Sequence, residues 1–589
     1  MDDPNHHQRV VALADAVRNR PPNALIRIQK QKFHTPYKKF TSSSSTEYTN
    51  LSIDHMNTIL KLQIDPIHHQ HTVTVEGSVT MHQLCNYLLP LGYLPALTCE
   101  GEYFTIAGLI NGFGIQSSSH RYGLFHDTVT ELEIILANGD IIIANNTNQY
   151  EDIFFTIPGS FSTIGIIVSA TIKLIPATQT VCSRITRYNT LQEYSDGMRN
   201  ILRGRDPWTK MSTHEVSPLF NSESNNNATT YIEGYVFSSS CYVIIETEFI
   251  PESILYSKSL QRILDSDNIN INTYPIYNPS VQKGCLYYYQ YIRESSLVLS
   301  SASSTPSVYR FTQSTLNYLF RHTRGLWWGL ENYIGIPWLT NTYTGRSWLD
   351  DIMKPKLKSD GTPESNPNEN GWQEKAGNSF TYADYNRCLI TQGFYIEEKK
   401  LSLMIQNIQE QLNMYPIWIC PIKVIAVNHD NHVSSMDTNS SIVRTQAKGR
   451  LWKNITGTDP YFAFDVGVYG VPQTSSYKCY STIRKLQSIA NSPTQWGLTY
   501  VTQEELCNKK TSILDIPLYL RIREKYYADQ AYPSLWKKIK LYQPKIDIDE
   551  GVIPYWRLKR DGLLTSNSLY YCSSILIGIV TIIGWFLIR

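Results

Sequence analysis

Between two hydrophobic runs, residues 105–129 read TIAGLINGFGIQSSSHRYGLFHDTV, with Gly108, Gly112, Gly114 and Gly123 set among small polar residues. A chain that strips side chains from so much backbone either bends sharply there or lets something approach it closely. Backbone N–H groups freed in this way suit phosphate oxygens or the carbonyl edge of a fused ring. A glycine-rich bend in a sheet uses the same residues. The stretch does not match the dinucleotide fingerprint, because no third glycine opens a helix after Gly112-Phe113-Gly114 and no acidic residue follows at the required distance. A Rossmann NAD site is therefore not expected.

Around this stretch, short β-branched runs alternate with helical ones from Leu25 to Ala177: ALIRI, HTVTVEG, the helix TMHQLCNYLLPLG, ELEIILANGDIII and STIGIIVSATIKLIP. The pattern is α+β. ANGD, residues 137–140, has a hairpin-turn composition, with Asn138 and Gly139 expected at positive φ and antiparallel strands on either side. The amino-terminal run MDDPNHHQRVVALADAVRNR lacks the apolar core of a secretory signal and reads as a first amphipathic helix. At the other end, residues 569–588 (LYYCSSILIGIVTIIGWFLI) carry no charge and are long enough to cross a hydrocarbon layer. They read as a tail anchor, and the basic YWRLKRDG before them places the large amino-terminal part on the cytoplasmic side. Polar segments at 221–230, 355–379 and 428–450 read as surface insertions or disordered loops.

Composition sets further bounds. A chain of 589 residues is too long for one domain. Lys+Arg 53 against Asp+Glu 51 gives no reason to expect nucleic acid as a partner. Forty tyrosines and twelve tryptophans suit a protein that surrounds a large apolar ligand, and a large β-rich core produces the same bias. The ten cysteines, from Cys85 to Cys572, form no CxxC pair, so neither a metal site nor a disulfide framework is indicated. They read as reduced thiols of a cytosol-facing protein.

Five strings in one order, VTVEGSVTM (73–81), the LxxLG of 88–92, TIAGLINGFGIQSSSHRYGLF, ANGD and PGSFSTIGIIVSATIKLIP (158–176), resemble the PCMH-type FAD-binding domain of the vanillyl-alcohol-oxidase superfamily. LFRHTRGLWW (319–328), MYPIWICP (414–421), FDVGVYG (464–470) and LYLRIREKYYADQAYPSLWKKI (518–539) carry the resemblance onward to the delta(24)-sterol reductases, the Diminuto-like proteins. The implied architecture is a two-subdomain FAD-binding domain over 1–177 and an α+β substrate or cap domain over 178–545. A linker over 546–568 and the transmembrane helix over 569–588 follow.

The resemblance also implies a site. Thr105, Ile106, Ala107, Gly108, Leu109, Ile110, Asn111, Gly112, Phe113, Gly114, Ile115, Gln116, Ser117 and Ser118 would line the flavin and its pyrophosphate. Ile164, Gly165 and Ile166 would lie against the isoalloxazine or adenosine portion. Many relatives carry an RGxGHS-type loop near the amino end; the corresponding IRIQKQKFHTPYKKF (26–40) has no glycine, as in the sterol reductases. Lys30, Lys32 and Lys39 could neutralise phosphate there, although a solvated basic face is the commoner fate of such runs. Noncovalent FAD is the expectation, with His34 and His120 as the remaining attachment points. The family's electron source is NADPH, and no separate nicotinamide motif is present.

The expected chemistry is reduction of an isolated side-chain double bond in a sterol, which needs a hydride on one carbon and a proton on the other. Among His322, Arg324, Tyr415, Asp465 and Tyr469, the last two are the chosen candidates for the acid. Ordinary structural roles compete: Arg324 in an ion pair, Tyr415 and Trp418 in packing, Asp465 as a strand-end hydrogen-bonder. The sequence leaves two other functions open, an alcohol or lipid oxidase of the same fold and a catalytically silent membrane-tethered binding protein. The anchor and the apolar substrate together point to the endoplasmic reticulum membrane.

Overall fold

The computed structural model describes residues 5–29, 48–203, 230–250, 307–320, 390–423, 462–470 and 515–535 apart from single positions, with scattered positions at 476–499 and 553–554. The expected first helix is α1 (His6–Arg18), which buries Val10, Leu13, Ala14 and Val17 along one stripe. It packs with a parallel pair, β1 (Leu25–Gln29) and β2 (Tyr48–Ser52).

The larger part of the first domain runs through β3 (Ile59–Gln63), β4 (Thr72–Glu76), α2 (Met81–Leu88), β5 (Tyr93–Pro95), α3 (Ile106–Asn111), α4 (Ser119–Tyr122), β6 (Val129–Ile135), β7 (Ile141–Asn145), α5 (Glu151–Thr156) and β8 (Ile166–Pro176). Its antiparallel sheet has the order β3-β4-β8-β6-β7, with β5 paired to the far end of β8. The near-continuous apolar run of β8 is explained by cover on both faces. Ile166 and Val168 join the α1 core, while Ile167, Ile172 and Leu174 join the cluster beneath α2 and α3. Helix α2 starts where Thr80 and Gln83 exchange side-chain and backbone hydrogen bonds in a capping box.

The β6–β7 hairpin forms where expected, with Ile135 opposite Ile141. Its turn differs in one detail: Gly139 has φ 84° and Asn138 is not at positive φ. Leu136 accepts from Gly139 N–H, so the loop is a three-residue one in which only the last position must be left-handed.

The second sheet begins at β9 (Thr180–Tyr188) and continues, after α6 (Leu191–Leu202), with β10 (Tyr231–Ser238), β11 (Cys241–Ile250), β12 (Ser307–Ser314), α7 (Thr315–Leu319), β13 (Ile390–Glu397), α8 (Leu401–Leu412), β14 (Ile417–Lys423) and β15 (Phe462–Gly470). Its order is β12-β9-β11-β10-β14-β15-β13, closed by the short strand Leu498–Thr499. Helices α6 and α8 cover one face, where Ile244, Phe394, Ile405, Ile417, Ile419, Val466 and Val468 form a separate core. The other face meets the first domain.

Helix α9 (Ile516–Lys525) and the turn after it fall within the expected second domain, yet they pack on the first. Ile26 N–H donates to Ala531 O at 2.6 Å, Tyr532 Oη donates to Ile135 O at 2.9 Å, and the buried Arg523 guanidinium holds the carbonyls of Thr163 and Tyr532. Residues 569–588 lie outside the described residues, as do 221–229, 355–379 and 428–450. Among the described residues no helix is long and apolar enough to cross a membrane.

A buried charge cluster pins α1 to the sheet. His6 Nδ1 donates to Glu76 Oε1 at 2.7 Å and its Nε2 to Glu133 Oε2 at 2.8 Å, while Arg9 Nη2 reaches Glu76 at 2.7 Å. Two carboxylate acceptors require an imidazolium. The hydrogen bond to Glu133, then that to Glu76, raises His6 to about 9 from 6.5. Burial alone would raise Glu76, but the bonds from His6, Arg9 and the Thr58 N–H more than offset it and hold the carboxyl below its usual value. Because the folded pKa of His6 is raised, its contribution is complete below 6.5 and is lost as pH rises through about 9. His6→Gln should therefore cost about 2 kcal/mol at pH 6, an amount discounted for the partial exposure of the ring. The difference from wild type should shrink toward pH 10 in denaturant melts.

Candidate functional site

Helix α3 opens the glycine segment. Thr105 caps it, its Oγ1 accepting from Gly108 N–H at 3.3 Å. The Ile106 and Ala107 N–H groups donate to Val79 O and Gly77 O, both at 2.9 Å, and Leu109 N–H donates to Thr105 O. The first amides of this helix thus have protein acceptors and are not free for phosphate. What the helix offers instead is a surface. Thr105, Gly108 and Gly112 fall on one face at helical spacing, Gly108 is exposed, and Thr105, Gly112 and Ile115 are half-buried. This is bare backbone on which a flat ring can lie.

Other glycines are required by the protein itself, and Gly112 is among them, since a Cβ there would stand 2.9 Å from Gly108 O. A Cβ on Gly114 would stand 2.9 Å from Cys99 Sγ and 3.0 Å from Phe125 Cβ; one on Gly165 would stand 2.7 Å from Ile134 Cγ2. Their missing side chains are accounted for by close packing of the chain on itself. Ile164 and Ile166 are buried on either side of Gly165. Asn111 is likewise engaged internally: its Nδ2 donates to Ala107 O, and its Oδ1 accepts from Ser160 Oγ and Ser162 N–H. It thereby latches a loop in which Phe161 and Ser162 both adopt positive φ, as Phe113 does beneath it.

Downstream, Gln116, Ser117 and Ser118 are buried where the two sheets meet. Ile232 N–H donates to Ser117 O at 2.7 Å, Cys420 Sγ contacts Gln116 O at 3.2 Å, and Ser117 Oγ lies 3.2 Å from Tyr318 Oη. His120 donates from Nδ1 to Ser117 O at 3.0 Å, the ordinary hydrogen-bonded role. The Nε2 amide of Gln116 is buried with no partner among the described residues.

Facing it, the second sheet presents a polar surface. Cross-strand pairs place Cys420, Asp465 and Tyr395 in one row and Tyr235, Trp418, Gly467 and Gly393 in the next. Glu233, fully buried, accepts through Oε2 from Tyr235 Oη at 3.0 Å and Trp418 Nε1 at 3.1 Å. Asp465 lies in the middle of β15, not at its end, and is 3% exposed. Its Oδ1 has no partner among the described residues. Burial raises its carboxyl to about 7 against a smaller opposing effect of the Phe394 N–H. The acid and the glycine segment, 350 residues apart in sequence, meet through Cys420.

A model of the FAD binding domain matches residues 38–145, which contain all of this segment. The delta(24)-sterol reductase of Macaca fascicularis is 23% identical over 468 residues, covering 79% of this chain and 74% of its own length. That of Pisum sativum is 25% identical over 473 residues, covering 79% and 72%. The chain is similar to the delta(24)-sterol reductases. A Caenorhabditis elegans homolog of the same enzyme is 23% identical over 499 residues, covering 83% of this chain and 79% of its own length. These similarities extend far beyond the FAD binding domain, so they include the second sheet.

The bare face of α3 and the Gln116 amide, without a partner among the described residues, fit a flat, acceptor-edged cofactor, and FAD is the group the domain match names. Tyr469 pairs with Thr391 two strand steps beyond Gly467, and its side chain lies outside what is described. Lys30, Lys32, His34, Lys39, His322 and Arg324 also lie outside the described residues. Tyr415 is packed in the helix-side core. Glu233 was missed by sequence reasoning, although a lone acid in the alternating run YIEGYVF was a usable signal.

The two classes of glycine separate in a single experiment. Gly108→Ala should raise apoprotein stability by about 0.5–1 kcal/mol through helix propensity while lowering the flavin retained per chain. Gly114→Val should lower the melting temperature whether flavin is present or not.

Proposed function

We propose that this protein reduces the delta(24) side-chain double bond of a sterol, using noncovalently bound FAD and NADPH as the electron donor. It is an FAD-dependent oxidoreductase whose homologues act on a carbon–carbon double bond. The observation that carries the reading is Asp465: a buried carboxyl with one oxygen lacking a partner among the described residues, protonated in good part at neutral pH, on the face turned to the glycine segment. An unpolarised alkene cannot accept hydride alone, so an acid must be held at the second carbon in a dry site. When bound, FAD supplies the hydride and is refilled by NADPH.

The protein's own residues do the rest. Asp465 holds the proton, and burial beside Tyr395 and Cys420 keeps water from competing for it. Trp418 and Tyr235, both tied to Glu233, form a rigid wall beside the acid. The bare face of α3 supports the ring, and Gln116 offers its amide to a carbonyl edge. The charge-free run at 569–588 supports a tether at the endoplasmic reticulum membrane, where such an apolar substrate partitions.

Single-turnover reoxidation of the reduced holoenzyme by a delta(24) sterol, followed anaerobically, tests this. Asp465→Asn should slow it by about 10²–10⁴-fold with flavin content unchanged. In the wild type the rate should fall as pH rises through about 7, the value at which the carboxyl loses its proton, and that limb should vanish in the variant. Oxygen-dependent peroxide release without NADPH would select an oxidase instead.

A further inference from the structure

On the face of the second sheet that meets the first domain, Tyr235, Trp418 and Tyr395 stand around a place where no side chain projects. There Gly467 pairs with Gly393, and Trp418 is the neighbour of Gly467 on its other side. Glycine within a strand sacrifices both order and packing. Two of them directly opposite, both buried, leave the sheet face without a side chain at either position, a dent in its surface. Nothing on the reverse side calls for it: the adjacent Val466, Val468 and Phe394 point into the helix-side core and are fully buried there.

Two further features give the dent a purpose. The Trp418 indole is anchored by its Nε1 bond to Glu233, which also holds Tyr235, so the ring cannot swing over to fill the gap. Asp465, on the same face one pleat away from Gly467, is 3% exposed and keeps Oδ1 without a partner among the described residues. The two glycines bring no side-chain donor or acceptor to the floor. Such a recess takes an uncharged, branched group and sets whatever adjoins it beside the acid.

We infer that the Gly393–Gly467 pair, walled by Trp418, is the floor of the subsite that receives the branched apolar end of the substrate and thereby aligns its double bond with Asp465. This rests on the reading of the protein as a reductase of an apolar alkene. It adds which strands grip the substrate and which dimension they measure. One methylene in an apolar pocket is worth about 10–200-fold in discrimination, so a methyl placed on this floor is felt as selectively as one added to the substrate.

The test is photolabelling of the full-length holoprotein with a sterol that carries a diazirine at the end of its side chain. The inference expects label on peptides containing residues 390–397 or 462–470, lost in Gly467→Leu while flavin content is retained. Label confined to other segments overturns it, and the wild-type result decides this even where the variant fails to fold. Gly393→Ala and Gly467→Ala, milder changes, should raise KM about tenfold for the branched alkene and less for one lacking a terminal methyl; equal KM values for both substrates would count against the inference. Labelling of these strands in a protein that does not reduce the sterol would refute the reductase reading and leave the subsite intact. Reduction with label elsewhere would do the reverse.

Discussion

Hydrogen bonds made by residues 116 and 117 fasten the two sheets together. Ser117 O takes the N–H of Ile232, Ser117 Oγ lies against Tyr318, and Gln116 O meets Cys420. Each partner belongs to the second domain, so the glycine segment belongs to one domain by sequence and to both by contact. Backbone bonds buried this deeply are short and directional, and they set the spacing between α3 and the face of the sheet that carries Asp465. Had the joint been made by flexible exposed side chains, α3 and Asp465 would not share a fixed geometry.

The same joint explains the unusual polarity of the sheet face. Sheets commonly hide apolar residues on the face that packs. Here Glu233, Asp465, Cys420 and Gln116 lie in the buried layer, while apolar residues fill the opposite face under α6 and α8. Such groups are tolerated in part through mutual bonding, as Tyr235 and Trp418 satisfy Glu233, and in part through a raised pKa, as Asp465 keeps its proton. Departures from ordinary core chemistry are thus concentrated in this one layer.

Local features were legible in the sequence. The amphipathic stripe of α1, the helix at α2, the ANGD hairpin and the α+β alternation all depend on neighbours a few residues away. The glycine segment was legible as special, but its reasons were not separable. Gly114 answers to Cys99 and Phe125, whereas Gly108 is left bare, and only coordinates distinguish packing from exposure. Asp465 was picked out from its motif, and the burial that lets it keep its proton near neutral pH follows from strand pairing across a long gap. The docking of α9 on the first domain was hidden for the same reason, since Thr163 meets Tyr519 only after the whole second domain has been threaded between them.

That late return has a cost for biosynthesis. Ile26 bonds to Ala531, Arg20 to Gln530 and Ile135 to Tyr532, so the amino-terminal core is sealed by some of the last described residues. On the ribosome, α1, β1 and the end of β6 must wait with Tyr532's place open until residue 532 has emerged. Loops that close over so many residues form slowly, and waiting apolar surface invites aggregation. A premature stop anywhere upstream of α9 therefore spoils the opening domain as well as the closing one.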